Sequence, residues 1–107
     1  MKKFKLDKNE IKPVIKNKGS CIASDKITVD GQKIGYMYRE NSSNESDSGW
    51  RFFAGAEDEI YLNNPNNFSI FDLNTICNYD KSIIPYLGMP IGIKLQRVGE
   101  EFSEINR

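Results

Sequence analysis

The sequence predicts an α+β fold: a small antiparallel β-sheet of about four to six strands with one or two short helices. Three observations point there. The first half alternates short apolar runs with turn signals. A helical stripe of apolar residues appears once, late in the chain, and an alternating run follows it. The length of 107 residues fits one domain with one modest core.

The elements follow in order. Residues 1–18 read as a Lys-rich arm that Ile11, Val14 and Ile15 can dock, with Pro13 interrupting any helix. Residues 19–107 form the single domain, in which Cys21-Ile22 begins a strand. Asp30-Gly31 is a two-residue turn signal between Ile27-Thr28-Val29 and the run from Gln32 to Tyr38. A type I′ hairpin turn needs positive φ at both central residues, and Asp-Gly tolerates it. That hairpin would gather Ile27, Val29, Ile34, Tyr36 and Tyr38 on one face.

Residues 40–49 read as a polar loop. Trp50 to Ala54 follows as a strand with Trp50, Phe52 and Ala54 on one side. Ile60-Tyr61-Leu62 is short and apolar, and Asn63 to Asn67 is a loop. Ser69 to Tyr79 is predicted as a helix capped by Ser69, with Ile70, Leu73, Ile76 and Cys77 on one stripe. Asp80 caps a second turn through Tyr86, which Pro85 and Gly88 end. Ile91, Ile93 and Leu95 alternate with polar residues as in a half-buried strand. Phe102 and Ile105 can anchor the polar tail from Gly99 to Arg107.

The formal net charge is zero but unevenly placed. Residues 1–18 carry seven Lys against Asp7 and Glu10. Residues 40–80 carry eight acids against Arg51 alone. An acidic middle argues against a grip on phosphate backbones and suits a basic partner. Tyr36, Tyr38 and Tyr61 could stack bases, but beyond Arg39 no Lys or Arg interleaves with them.

The chain contains no His, which removes Ser-His-Asp and Cys-His catalysis and His-bearing zinc sites. No phosphate-cradling Gly-rich motif occurs. Glu57-Asp58-Glu59 lacks the spacing of a calcium loop. Cys21 and Cys77 read as small core residues rather than nucleophiles. No cofactor or metal is therefore expected. No run approaches the ~20 apolar residues of a membrane span. The basic start has no apolar stretch behind it, so the expectation is a cytoplasmic protein with free thiols.

Two stretches carry a resemblance: Asp47-Ser48-Gly49-Trp50-Arg51-Phe52-Phe53 and Asp72-Leu73-Asn74-Thr75-Ile76-Cys77-Asn78-Tyr79-Asp80. With Gly19 to Gly31, Ile34 to Glu40 and Ile84 to Leu87, they make residues 19–95 resemble the immunity-protein-33 family. The resemblance implies a bacterial protein of polymorphic-toxin systems that binds and neutralises a toxin, without catalysis. It carries over no catalytic residue.

The charge pattern then selects candidate partner-binding residues Glu45, Asp47, Glu57, Asp58 and Glu59, and Arg51 joins them as a residue type that often anchors interfaces. For Arg51, anchoring a partner competes with neutralising Asp47. Two other readings stand beside the toxin binder. One is a general protein-interaction or regulatory module. The other is a small-ligand domain using Asp72, Asn74, Asn78 and Asp80, which fails if those side chains serve turns and caps instead.

Overall fold

The computed structural model describes residues 2–16 and 18–105. Met1 and Asn17 of the expected arm, and the tail's Asn106 and Arg107, lie outside the described residues.

Trp50-Arg51-Phe52-Phe53 lies in the longest strand, β3 (Asp47–Phe53). Its period-2 alternation buries Trp50 and Phe52 completely. The neighbours are β1 (Ser20–Ser24) and β2 (Tyr36–Arg39), followed outward by β4 (Phe68–Asp72), β5 (Lys94–Val98) and β6 (Glu101–Glu104). Among the described residues these six strands form one sheet in the order β4-β1-β3-β2-β5-β6. The fold is α+β, as expected. The sheet is mixed rather than antiparallel, because β1 and β3 run parallel with Ile22 opposite Arg51.

The Asp30-Gly31 hairpin does not form. Ser24 accepts a hydrogen bond from the Lys26 N–H and starts a short helix, α1 (Asp25–Thr28). Gly31 then takes its positive φ of 79° where that helix stops, its N–H donating to the Ile27 carbonyl. Glycine's freedom thus serves a helix end, a use as fitting as a hairpin turn. Ile27 and Ile34 go to the core, while Tyr36 and Tyr38 line the opposite face of the sheet.

The predicted helix over 69–79 is shorter than expected. Residues 68–72 pair with β1, Phe71 opposite Cys21, so Ser69 lies in a strand and caps nothing. The helix α3 (Leu73–Tyr79) starts after Asp72, and Leu73, Ile76 and Cys77 form its buried stripe. Ile70 leaves that stripe and stands 75% exposed on the edge strand. Ile60-Tyr61-Leu62 winds into α2 (Glu59–Leu62), capped by Asp58.

Asp80 caps the 3₁₀ turn Lys81–Tyr86 as predicted. The late strand starts at Lys94 rather than Ile91. Ile91 is exposed, whereas Ile93 and Leu95 are buried. Phe102 anchors β6, buried as expected of it, in a hairpin with β5.

Helices α1 and α3, the 3₁₀ turn Lys81–Tyr86 and the N-terminal arm cover one face of the sheet, while α2 borders the other. The arm is stitched down by α3: the Asn74 carboxamide oxygen accepts from the N–H groups of Val14 and Ile15, at 2.8 and 3.1 Å. The Asn74 and Asn78 amides both donate to the Lys12 carbonyl. Phe4 meets Phe71 edge to face at 5.4 Å, and Lys2 pairs with Asp25 at 3.0 Å. Beneath lie Met37, Trp50, Phe52, Leu73 and Ile76, all fully or almost fully buried. The Trp50 indole N–H donates to the Leu87 carbonyl at 3.0 Å, so its one polar atom is satisfied.

Candidate functional site

The other face of the sheet has no such cover. Residues that alternate with the core set emerge there: Arg51 and Phe53 from β3, Tyr36 and Tyr38 from β2, Ile22 from β1, Lys94 and Gln96 from β5. Tyr38 stacks on Phe53 with ring centres 5.7 Å apart. Tyr36 lies 5.7 Å from Phe53, and Phe68 meets Phe53 edge to face at 5.9 Å. Tyr61 extends the series from α2 to Phe68. Tyr36, Tyr38, Phe53 and Phe68 floor a concave region of about 820 Å³.

Arg51 sits in the middle of this face yet is only 5% exposed. Its guanidinium forks onto Asp47 at 2.9 and 2.8 Å, and its Nε donates to Glu40 at 2.6 Å. Asp47 also accepts from the N–H groups of Ser43 and Gly49. The bond from Arg51, helped by these N–H groups, holds the Asp47 carboxyl well below the usual carboxylate range. The bond to Asp47, seconded by Glu40, likewise binds the Arg51 proton more firmly. Gly49 makes this corner possible. Its φ is +88°, and a Cβ there would lie 2.2 Å from the Glu40 carbonyl oxygen.

The six residues selected from sequence divide sharply. Asp47 and Arg51 neutralise one another and shape the site, so Arg51 does pair with Asp47. Glu57 lines the concave face, and its carboxylate accepts from the Ala54 and Gly55 N–H groups at 2.7 and 2.8 Å. Asp58 accepts from the Tyr61 N–H at the head of α2. Glu45 and Glu59 are exposed. The two acidic segments stand at opposite ends of β3, Glu40 to Asp47 before it and Glu57 to Glu59 after it.

Sequence reasoning missed Glu40, Phe53 and Phe68 as lining residues. The signal for Phe53 was present: a strand that buries Trp50 and Phe52 must send Arg51 and Phe53 the other way.

The alternative polar cluster is committed to the fold. Asn74 and Asn78 hold the arm. Asp80 accepts from the Ile34 and Ser82 N–H groups and pairs with Arg97 at 2.6 Å. Asp72 stands at the head of α3. Both cysteines are buried and free. Burial, reinforced by Cys77, pushes the Cys21 thiol far up, and burial alone pushes Cys77 up to about 11. Among the described residues no group of three or more His, Cys, Asp or Glu side chains is arranged to hold a metal ion. No helix among them is long and apolar enough to cross a membrane.

A small mixed sheet with one face packed and the other open, aromatic and ringed by charge defines an α+β domain with a presented surface. The chain belongs to the family described as the Immunity protein Imm33 domain, whose model matches residues 21–106. The match starts after the Lys-rich arm. No curated protein and no solved structure is significantly similar to the chain.

Proposed function

We propose that this chain is a bacterial immunity protein that binds and neutralises a toxin in the cytoplasm by occupying it, with no catalysis of its own. Family membership over residues 21–106 carries the reading. An inhibitor of this kind needs a stable scaffold and a complementary surface of roughly 800 Å² per partner. The uncovered sheet face and its acidic borders suit that need. Glu45, Asp47, Arg51, Glu57, Asp58 and Glu59 remain the proposed contact set, in two roles. Glu45 and Glu59 point outward and can meet a partner directly. Asp47 and Arg51 hold the site in shape, while Glu57 and Asp58 fix the turn that borders it.

The test is co-expression in a sensitive bacterial host with the toxin encoded by the adjacent gene. Wild-type chain should restore growth and co-purify with the toxin. Failure to protect against that toxin would overturn the reading. Glu45→Lys combined with Glu59→Lys probes the acidic borders without breaking a cap. Protection should fall, and unchanged protection removes these residues from the interface.

A further inference from the structure

We infer that the open sheet face is a docking groove for a basic protein segment, which seats an apolar residue by β4 and lays an Arg or Lys side chain over Tyr36 and Phe53 beside Glu57. This rests on the binding function proposed above and names its surface and the partner's chemistry.

The groove is continuous. The concave region floored by the aromatic rings and a second one of about 600 Å³ share Ile22, Leu62 and Phe68. It therefore runs across the strands from β5 to the edge strand β4. Its β4 end leaves large aliphatic side chains in water: Leu62 is 46% exposed and Ile70 75%. Contiguous exposed apolar surface of this kind, bordered by polar groups, marks an interaction site.

Charge decides the occupant. The Arg51 cation is neutralised by Asp47 and Glu40 and offers nothing to a partner acid. Lys94 stands opposite Tyr38 in the sheet register, so positive charge already occupies the β5 side. At the end of β3, Glu57 lines the groove, and Asp58 and Glu59 follow it in the chain. The Lys26 ammonium near them lies over the Tyr61 ring at 5.0 Å. Each Glu57 oxygen accepts one backbone N–H and keeps a further lone pair. An aromatic floor beside an unneutralised carboxylate attracts a cation through ring and charge together. The same end repels an acidic segment.

The experiment uses the ¹⁵N-labelled full chain and two short synthetic peptides, one alternating Leu with Arg and one alternating Leu with Glu. The Arg peptide should shift the Tyr36, Phe53, Glu57, Leu62 and Ile70 amides saturably. The Glu peptide should bind at least about tenfold more weakly. Leu62→Ser with Ile70→Ser should weaken the Arg peptide about tenfold, whereas Ile91→Ser, exposed outside the groove, should not. Equal binding of both peptides, or shifts confined to the helix-covered face, would overturn the inference. So would a dimer in light scattering that the Leu62→Ser, Ile70→Ser pair dissociates, because the occupant is then a second copy. Co-expression separates this inference from the immunity reading. Full protection by both the wild type and the double variant overturns the groove and keeps the immunity function. No protection by the wild type, alongside Arg-peptide binding in the groove, overturns the immunity function and keeps the groove.

Discussion

The two faces of this sheet are built from the same strands and share almost nothing else. Trp50 and Phe52 point one way, under α3 and the arm, and are fully buried. Arg51 and Phe53 point the other way, onto a concave face that only the short α2 borders. On the first face, apolar area removed from water supplies stability. On the second, a cation and two carboxylates hold one another in place beside aromatic rings that remain accessible. The first face therefore governs whether the chain folds, and under the proposed function the second governs what it meets.

The largest test of that division is Trp50→Ala. It empties the centre of the packed face and orphans the Leu87 carbonyl. A loss of about 3–5 kcal/mol is expected, read from the urea midpoint. Total stability for a domain of this size is about 5–15 kcal/mol, so this variant should sit at the edge of folding.

Arg51→Ala is the exception that sharpens the comparison, because it destabilises from the open face. Asp47 would keep its buried carboxylate without its cation, at a cost of about 3 kcal/mol near pH 7. The pH dependence carries the signature. Asp47 has its folded pKa lowered, chiefly by the bond from Arg51. That contribution is complete above the unfolded value of about 4 and is lost as pH falls below it. Wild-type stability should drop more steeply than that of Arg51→Ala as pH falls from about 4 toward 2, so the gap between them narrows in acid.

Asn74→Ala comes next. Three hydrogen bonds from one side chain hold the arm at Lys12, Val14 and Ile15. Their loss should cost about 1–2 kcal/mol and free the arm first. Trypsin should then cut at Lys8 or Lys16 well before the domain unfolds, while the Lys12–Pro13 bond resists it.

What was legible in the sequence tracks the range of the interactions involved. The alternation through β3 needs only neighbouring residues, so Trp50 and Phe52 were placed correctly. The cap at Asp80 is equally local. The parallel pairing of β1 with β3 was not legible, because the residues between them fold into α1 and β2 and nothing in either strand names its partner. Asp30-Gly31 misled because positive φ ends a helix as readily as it turns a hairpin, and Ser24 had already started the helix. Ser69 misled because a cap residue sits equally well in a strand that finds a neighbour. In the candidate site, the Arg51–Asp47 pair lies four residues apart and was readable as an alternative. The half-buried rings of the open face were not placed, since which face stays open depends on where the arm and α3 come to rest.

The smallest expected effect is the most telling for the comparison. Ile70 sits in β4 with its backbone paired to Ile22 and its side chain 75% exposed. Ile70→Ser removes an apolar group that is already largely in water, so stability should change by less than about 0.5 kcal/mol. On the packed face, an aliphatic residue such as Ile76, fully buried, would cost about 2–5 kcal/mol when cut to Ala. Thermal denaturation of Ile70→Ser and Ile76→Ala in parallel measures that difference. A large loss from Ile70→Ser would mean that this side chain is covered in solution and that the two faces are not divided as described. A silent substitution would show that this large aliphatic group contributes little to folding, as a docking residue at the edge of the open face should.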